Sequence, residues 1–542
     1  MVRILSEEGR NLMNRYTLTV VDTTGIQDYI FGTNQLKQNV GASYLVDCAT
    51  RKWVVESLSE PNNLRVKDLD DPNPFTDETI KDGQISAEIV YAGGGNTMII
   101  FASRMDAINF AQRLTRKILL NAPGLSLVLV HEEFDWDGEK ALGGMNGVVN
   151  SVMKKIALKK ANCPVSTPLL GLGVTTSCTY TGLPAVFEDK EQGRLISSEV
   201  KAKLDAAKKA NDRLKEVFAF KDYEMAMDFD DFGRTFGDSS YIAVVHTDGN
   251  GMSNRIQSIQ EKFDSTSQNR EYIQEMRSFS LSIQKAAKKS LQSTIDILIK
   301  TVCQNKEIKL MDKKLPFRPI VFGGDDVTFI CDGRLGLSLA AHYLQNFSSQ
   351  KLSDKELAHC RAGIAVVKTH YPFARAYALG EELCRSAKEY IKMEKEDSGE
   401  EDLTAMDWHF AVNGLVRNIN EVRSREYTVP KEGSLLMRPV RLNAPENEWK
   451  SWDLFVDIIK EFQSNDSWKG RRNKIKALRE SLRAGRDEVI HFRKAYGLHK
   501  LPKITQFPDM ADQGWHGGKC GYFDAIEAMD FFIPLDADGD SQ

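Results

Sequence analysis

The chain has 542 residues, 42% hydrophobic and 27% charged, with a formal net charge of -4 and a pI near 6.2. That length buries several cores and predicts three or four domains. The weakly acidic balance gives no whole-chain sign of a nucleic-acid binder, and no apolar stretch reaches the roughly 18 residues that a membrane span needs.

The first sixteen residues, MVRILSEEGRNLMNRY, lack the apolar core of a signal peptide, so a cytoplasmic protein is expected. From Tyr16, YTLTVVDTTGIQDYIF reads as a strand, a carboxylate at Asp22 and the opening of a helix that GASYLVDCATRKWVVESL continues. ISAEIVYAGGGNTMIIFAS, from Ile85, reads as a hairpin with Gly93-Gly94-Gly95-Asn96 at its tip, followed by an amphipathic helix and the strand LSLVLVHEEF. Residues 1–144 form this unit. Residues 145–235 read as a mostly helical connector. It holds Cys163 and Cys178, two of eight cysteines, none of which lies two or three residues from another. That spacing makes no zinc-ribbon pair. A structural turn is the favoured reading, and zinc ligation by Cys163 and Cys178 stays open.

The first unit's order recurs in residues 236–412. YIAVVHTDGNG, from Tyr241, is an apolar strand ending in Asp248 and a glycine turn; long helices follow between about Arg270 and Lys300. RPIVFGGDDVTFICDG, from Arg318, reads as a tight hairpin with Asp325 and Asp326 at an exposed tip, before GLSLAAHYLQNF and RAGIAVVKTH. The fold class is therefore α+β: two ferredoxin-like βαββαβ palms, a helical connector, and a helical C-terminal domain over residues 413–542. The first copy carries Gly95 and Asn96 where the second has two aspartates, so it keeps the shape without the acids.

Phosphoryl transfer needs in-line positioning and charge neutralisation more than covalent help. Hard divalent cations want oxygen ligands, which Asp248, Asp325 and Asp326 supply. Two Mg²⁺ or Mn²⁺ ions, with no organic cofactor, are the expectation. Three clustered carboxylates repel, so their titrations should couple and at least one pKa should rise. Gly323 and Gly324 permit close approach of a nucleotide, and the turn Gly249-Asn250-Gly251 offers backbone N–H groups to phosphate. The stretch Lys469–Lys494 is rich in arginine and lysine, including Arg471, Arg472 and Lys474; interspersed Glu480, Asp487 and Glu488 favour a solvated helix over an RNA footprint.

These pieces carry a resemblance. The second palm resembles that of the large, signal-producing subunit of type III CRISPR effector complexes, itself related to GGDEF diguanylate cyclases. The matching segments are the Gly323–Asp326 tip, the strand ending at Asp248, and AGIAVVKTHYPFARAYALGEELCRSAK from Ala362; in the first palm they are DTTGIQDYIF, GASYLVD and GGGN. The resemblance spans about Arg15–Ala411. It implies that two ATP molecules meet between the palms, that Asp248, Asp325 and Asp326 hold metal, and that cyclic oligoadenylate is the product. It also implies that Lys388 contacts a triphosphate, that Ser43 lies near a nucleotide, and that Gly94 and Gly95 line the first palm's site. A solvated helix lysine and a helix-packing serine are the competing readings of Lys388 and Ser43. No His-Asp pair precedes the first palm, so no nuclease activity is carried over. Two alternatives remain beside the cyclase: an RNA-bound effector subunit with a mainly scaffolding role, and a diguanylate-cyclase-like enzyme. RNA and effector subunits are partners under the first of these, and a membrane is a partner under none.

Overall fold

The computed structural model describes residues 15–162, 173–232, 240–400, 403–412, 414–446 and 448–535. Its first sheet holds β1 (Arg15–Thr24), β2 (Ala87–Gly93), β3 (Asn96–Phe101) and β4 (Ser126–Asp135). Their spatial order is β2-β3-β1-β4, and all pairs are antiparallel. This is the ferredoxin-like arrangement: β1 and β3 are central, and the crossover helices cover one face. The crossovers are α1 (Ile26–Phe31) with α2 (Leu36–Asp47), and α3 (Arg104–Asn121). A π-helical turn, Cys48–Lys52, interrupts the run before the helix Trp53–Ser57. No feature of the residue pattern announces that turn.

The connector's α4 (Ser198–Val217) lies on α2 so closely that a Cβ on Gly41 would strike the backbone of Lys203. Lys203 is buried, and its ammonium donates to Tyr29 O at 2.7 Å and to Glu199 at 2.6 Å. The connector also contains a short hairpin, Phe187–Asp189 with Arg194–Ile196. Cys178 is buried, and Cys163 lies outside the described residues.

The second palm repeats the topology. It contains β5 (Tyr241–Gly249), β6 (Phe317–Val321), β7 (Val327–Asp332) and β8 (Cys360–Lys368), in the order β6-β7-β5-β8. Two strands extend it: β9 (Ala405–Ala411), parallel to β8, and β10 (Val440–Arg441). β10 comes from beyond residue 412, so the sheet reaches into the segment read as a separate helical domain. Helices α5 (Met252–Lys262), α6 (Asn269–Gln304) and α7 (Gly336–Ser348) belong to this palm. Odd positions of β5, such as Ala243 and Val245, share the core that holds buried residues of α6 and α7. Even positions, Ile242 and Val244, share a core with the first palm and with α8 (Phe373–Ser398). Alternation along one strand thus serves two layers.

The C-terminal part carries helices including α9 (Arg472–Ala484), and also a small four-stranded sheet of two-residue strands. Among the described residues no helix is long and apolar enough to cross a membrane.

Candidate active site

β5 delivers Asp248 to the end of the sheet beside the β6–β7 connection. In register, Val327 faces Thr247, which sets Asp326 abreast of Asp248. The connection is not the tight hairpin expected. The first palm's tip is a two-residue turn with both Gly94 (φ 61) and Gly95 (φ 80) left-handed, as such turns demand. Of the glycines in the second tip only Gly323 has positive φ, 131°, and five residues, Phe322–Asp326, link the strands. The longer loop lets Asp325 fold back over β5. A Cβ on Gly249 would lie 2.8 Å from Asp325 Cβ, so that glycine makes room for the acid.

The tip is also less exposed than its composition suggests, because the first palm closes over it. A Cβ on Gly324 would lie 3.3 Å from Gly94 Cα. The palms brace each other's hairpins reciprocally: Ser43 Oγ donates to Ile320 O at 2.5 Å, and Gln284 Nε2 donates to Ala92 O at 2.9 Å. Ser43 therefore positions β6, its proton already committed, rather than pointing a free hydroxyl at a ligand.

Electrostatics follow from this enclosure. Burial raises the Asp325 pKa, with the Asp248 charge adding to it. Burial also drives Asp326 well above the carboxylate range, reinforced by Asp248, Asp325 and Glu381. Asp326 retains 48% of its side-chain surface, yet its Oδ1 is enclosed and accepts no hydrogen bond. His246 Nδ1 lies 3.4 Å from that oxygen and 3.1 Å from Thr328 Oγ1. Burial lowers the His246 pKa, so the imidazole is neutral at pH 7 and adds no positive charge beside Asp326.

Asp248 is paired with Arg361, its cross-strand neighbour on β8. The same guanidinium donates to Gly249 O at 3.1 Å and to Asn250 Oδ1 at 2.6 Å. Asn250 in turn gives its N–H to His359 O and its carboxamide to Leu403 O, at 2.8 and 2.9 Å. The backbone N–H read as a phosphate donor at Asn250 is thus already committed, and the residue anchors the turn. Gly251, left-handed with φ 69, opens α5 directly after it.

Among the described residues no three His, Cys, Asp or Glu groups form a ready ion cage. The donor set nonetheless fits a hard cation: adjacent carboxylates whose mutual repulsion a cation relieves, and an enclosed oxygen without a partner.

Lys388 is exposed on α8, two turns beyond Glu381 on the same helical flank. Sequence reasoning missed Arg361, His246, Tyr377 and Glu381. Tyr377 packs edge-on to His246 at 5.5 Å and stacks on Phe31 of the first palm at 3.7 Å. Gln27, on α1, donates to Glu381. The two-residue step from Asp248 back to His246 on one strand face was the available signal for the histidine.

Two fused palms, one with paired acids and one without, define a Cas10-like double-palm protein. Residues 241–396 match the family model described as Cas10/Cmr2, second palm domain. Solved structures similar to the whole chain include a Csm1–Csm4 cassette in complex with one ATP, at 14% identity and TM-score 0.52, covering 96% of this chain and 70% of that one. A Csm1–Csm4 cassette in complex with cA4 matches at 14% identity and TM-score 0.50, covering 95% and 69%. Csm1 of T. onnurineus matches at 13% identity and TM-score 0.50, covering 96% and 70%. No curated protein sequence matches the chain.

Proposed function

We propose that this chain is a metal-dependent nucleotidyltransferase of the cytoplasm that builds cyclic oligoadenylate, or another cyclic nucleotide, from ATP for antiviral signalling. The observation that carries this reading is the convergence of Asp325 and Asp326 beside Asp248 at a glycine tip that faces the glycine tip of a second palm without paired acids. Such a junction brings two bare backbone surfaces together, one per nucleotide, with the paired acids on one side only.

In this mechanism Asp248, Asp325 and Asp326 would hold two Mg²⁺ or Mn²⁺ ions, whose chemistry is to lower the pKa of the attacking 3′-hydroxyl and to stabilise the departing pyrophosphate. Gly323 and Gly324 admit the acceptor of that attack, and Gly94 and Gly95 admit the second ATP. The N-terminus of α5, after Gly251, presents backbone N–H groups to phosphate oxygens. Lys388 contributes a mobile charge to the triphosphate. Arg361 holds the Asp248 strand end and the Asn250 turn as one unit, and α8 seals the site with Tyr377 and Glu381. The new phosphodiester forms as the α–β phosphoanhydride bond breaks, and pyrophosphate leaves.

The related Csm1–Csm4 cassettes are described in complex with one ATP, with pppApA, with pppApApA and with cA4. They support ATP as substrate and a Csm4-like CRISPR subunit as partner. The test is incubation of the purified chain, alone and with such a subunit and target RNA, with each NTP and Mg²⁺ or Mn²⁺. Mass spectrometry then identifies the products. Cyclic oligoadenylate is expected from ATP; pyrophosphate-free mixtures under every condition would refute the reading.

A further inference from the structure

The basic stretch that reads in sequence as a solvated helix takes a more specific form in the fold. α9 turns Ile475, Leu478 and Leu482 into the core. Arg472, Lys476, Arg479 and Arg483 then recur at successive turns of one flank, a stripe about 16 Å long at 1.5 Å per residue. That flank is one wall of a cavity of about 890 Å³ between the second palm and the C-terminal part. Arg334 and Arg425 also line this cavity, away from α9 in sequence. Its lining includes half-buried Tyr241 and Phe531, packed edge-to-face at 4.9 Å.

The lining is unbalanced in charge, with seven Arg or Lys side chains against four carboxylates. All four of those carboxylates have partners: Asp332 holds Arg334 at 2.7 Å, Glu426 holds Arg425 at 2.8 Å, Asp530 lies 3.7 Å from Arg472, and Glu527 holds the buried Arg438 at 3.1 Å, so Arg471, Lys476, Arg479 and Arg483 are the cations without an acid in the lining. Glu480, the acid of α9 between these cations, does not line the cavity but pairs with Arg479 at 3.0 Å and lies 3.7 Å from Arg483, an exposed pairing that a phosphate can replace. The site is remote from the acids of the second palm. Tyr241 and Asp248 stand at opposite ends of β5, seven residues or about 23 Å apart.

The geometry points to a docking site for a short single-stranded oligonucleotide of about three nucleotides. A row of cations at helical-turn spacing tracks a phosphodiester backbone, whereas a lone triphosphate engages only part of the row. Half-buried Tyr241 and Phe531, the second already stacked on Phe410 at 4.9 Å, leave part of their ring surface to the bases, a contact that needs no particular sequence. The cavity volume accommodates a small ligand and excludes a duplex. This site stands independently of the chemistry proposed for Asp325 and Asp326.

The experiment measures fluorescence anisotropy of a labelled trinucleotide and a labelled 12-nucleotide single strand, in EDTA, over a salt series. The proteins are the wild-type chain, the triple variant Arg425→Gln, Arg472→Gln, Lys476→Gln, and a control triple Lys460→Gln, Lys494→Gln, Lys503→Gln outside the cavity. Each lost phosphate contact on a single strand removes about 0.7 from the log–log salt slope, so the cavity triple should lose about 2 in slope on the 12-nucleotide strand and at most about 1.4 on the trinucleotide, which has two phosphodiesters, and should bind both at least about tenfold more weakly. The control triple should match wild type. All three cavity residues are exposed; should the triple variant melt early, the single Lys476→Gln serves, with an expected slope loss of about 0.7. The proposal is overturned if the cavity variants bind as wild type does, if the control triple loses as much, or if ATP or pyrophosphate displaces the probe as well as unlabelled trinucleotide does.

Discussion

Gly363 is where the fold and the candidate site depend on the same atom. It lies on β8 directly beneath α8, and a Cβ there would fall well inside contact distance of Gly380 O and Cys384 N, and 2.9 Å from Leu383 C. All three are helix backbone, so no side-chain rotation relieves the overlap; α8 must retreat by about 1 Å or lose its seat. Overpacking of this kind costs about 1–3 kcal/mol. The retreat also lifts Tyr377 and Glu381 away from His246 and Asp326, and a displacement of about 1 Å in positioning elements can cost on the order of 100-fold in rate. Gly363→Ala is therefore expected to lower stability by about 2 kcal/mol, read as a lower urea midpoint. It should reduce ATP turnover about 100-fold at temperatures where the variant is still folded. Gly380→Ala is the matched control. Its nearest neighbours would lie 3.7 Å away, an ordinary contact, and alanine gains up to about 1 kcal/mol over glycine inside a helix. Urea melts and product quantification by mass spectrometry read both variants. If Gly363→Ala is as stable and active as wild type, or Gly380→Ala is equally damaged, the close seating of α8 is not what positions the site.

Asp325→Ala with Asp326→Ala should abolish product while leaving the melting temperature at or above wild type, since the change removes mutually repelling acids; unchanged turnover refutes the metal assignment. Chelation with EDTA should stop turnover, and added Mg²⁺ or Mn²⁺ should restore it, read by pyrophosphate release. Asn96→Asp should leave the rate nearly unchanged, whereas Gly94→Trp should weaken ATP binding by isothermal titration, because φ 61 strains any bulky residue there. Arg423→Met should cost about 3–5 kcal/mol at pH 7, because it strands the fully buried Asp407 that Arg423 now holds with two bonds of 2.7 Å. Burial alone would raise the Asp407 pKa, but Arg423, Ser386 and Arg438 hold it below the usual carboxylate range. Its contribution is therefore present above the unfolded carboxylate pKa and is lost as pH falls through the lower folded value. The penalty of Arg423→Met in urea melts should shrink at acidic pH.

Both palms were legible because their strands alternate cleanly and their glycine tips punctuate the pattern, so element order alone fixed the topology. Asp325 and Asp326 were legible for the same reason, and the expected rise in at least one carboxylate pKa appears at both. The remainder depended on distant pairing. Arg361 lies 113 positions from Asp248, and only the β5–β8 register makes them neighbours. Asn250 looked like a free turn residue because the groups that bind it, His359 O and Leu403 O, come from two other segments. The strand Val440–Arg441 and the C-terminal small sheet are built from two-residue strands, too short to carry any period.

The duplication itself shows why a single acid would not reactivate the first palm. Asp22 ends β1 as Asp248 ends β5, and in register it faces Asn96 on one side and Val128 on the other. The corresponding positions in the second palm hold Asp326 and Arg361. The first palm therefore lacks both the partner acid and the guanidinium that fastens the strand end to its turn. Its Asp22 is instead held by Lys160 at 2.6 Å and caps its own neighbour, Thr23 N, at 2.8 Å. Restoring an aspartate at position 96 adds charge beside a carboxylate already neutralised by lysine, with no third acid to complete a donor set. The differences from the second palm's acid cluster are thus distributed over three strands, while the backbone contacts that brace the opposite hairpin are kept. Those contacts, Ser43 to Ile320 and Gln284 to Ala92, connect each palm to the other's tip. The copy without paired acids thereby braces the tip of the copy that carries them.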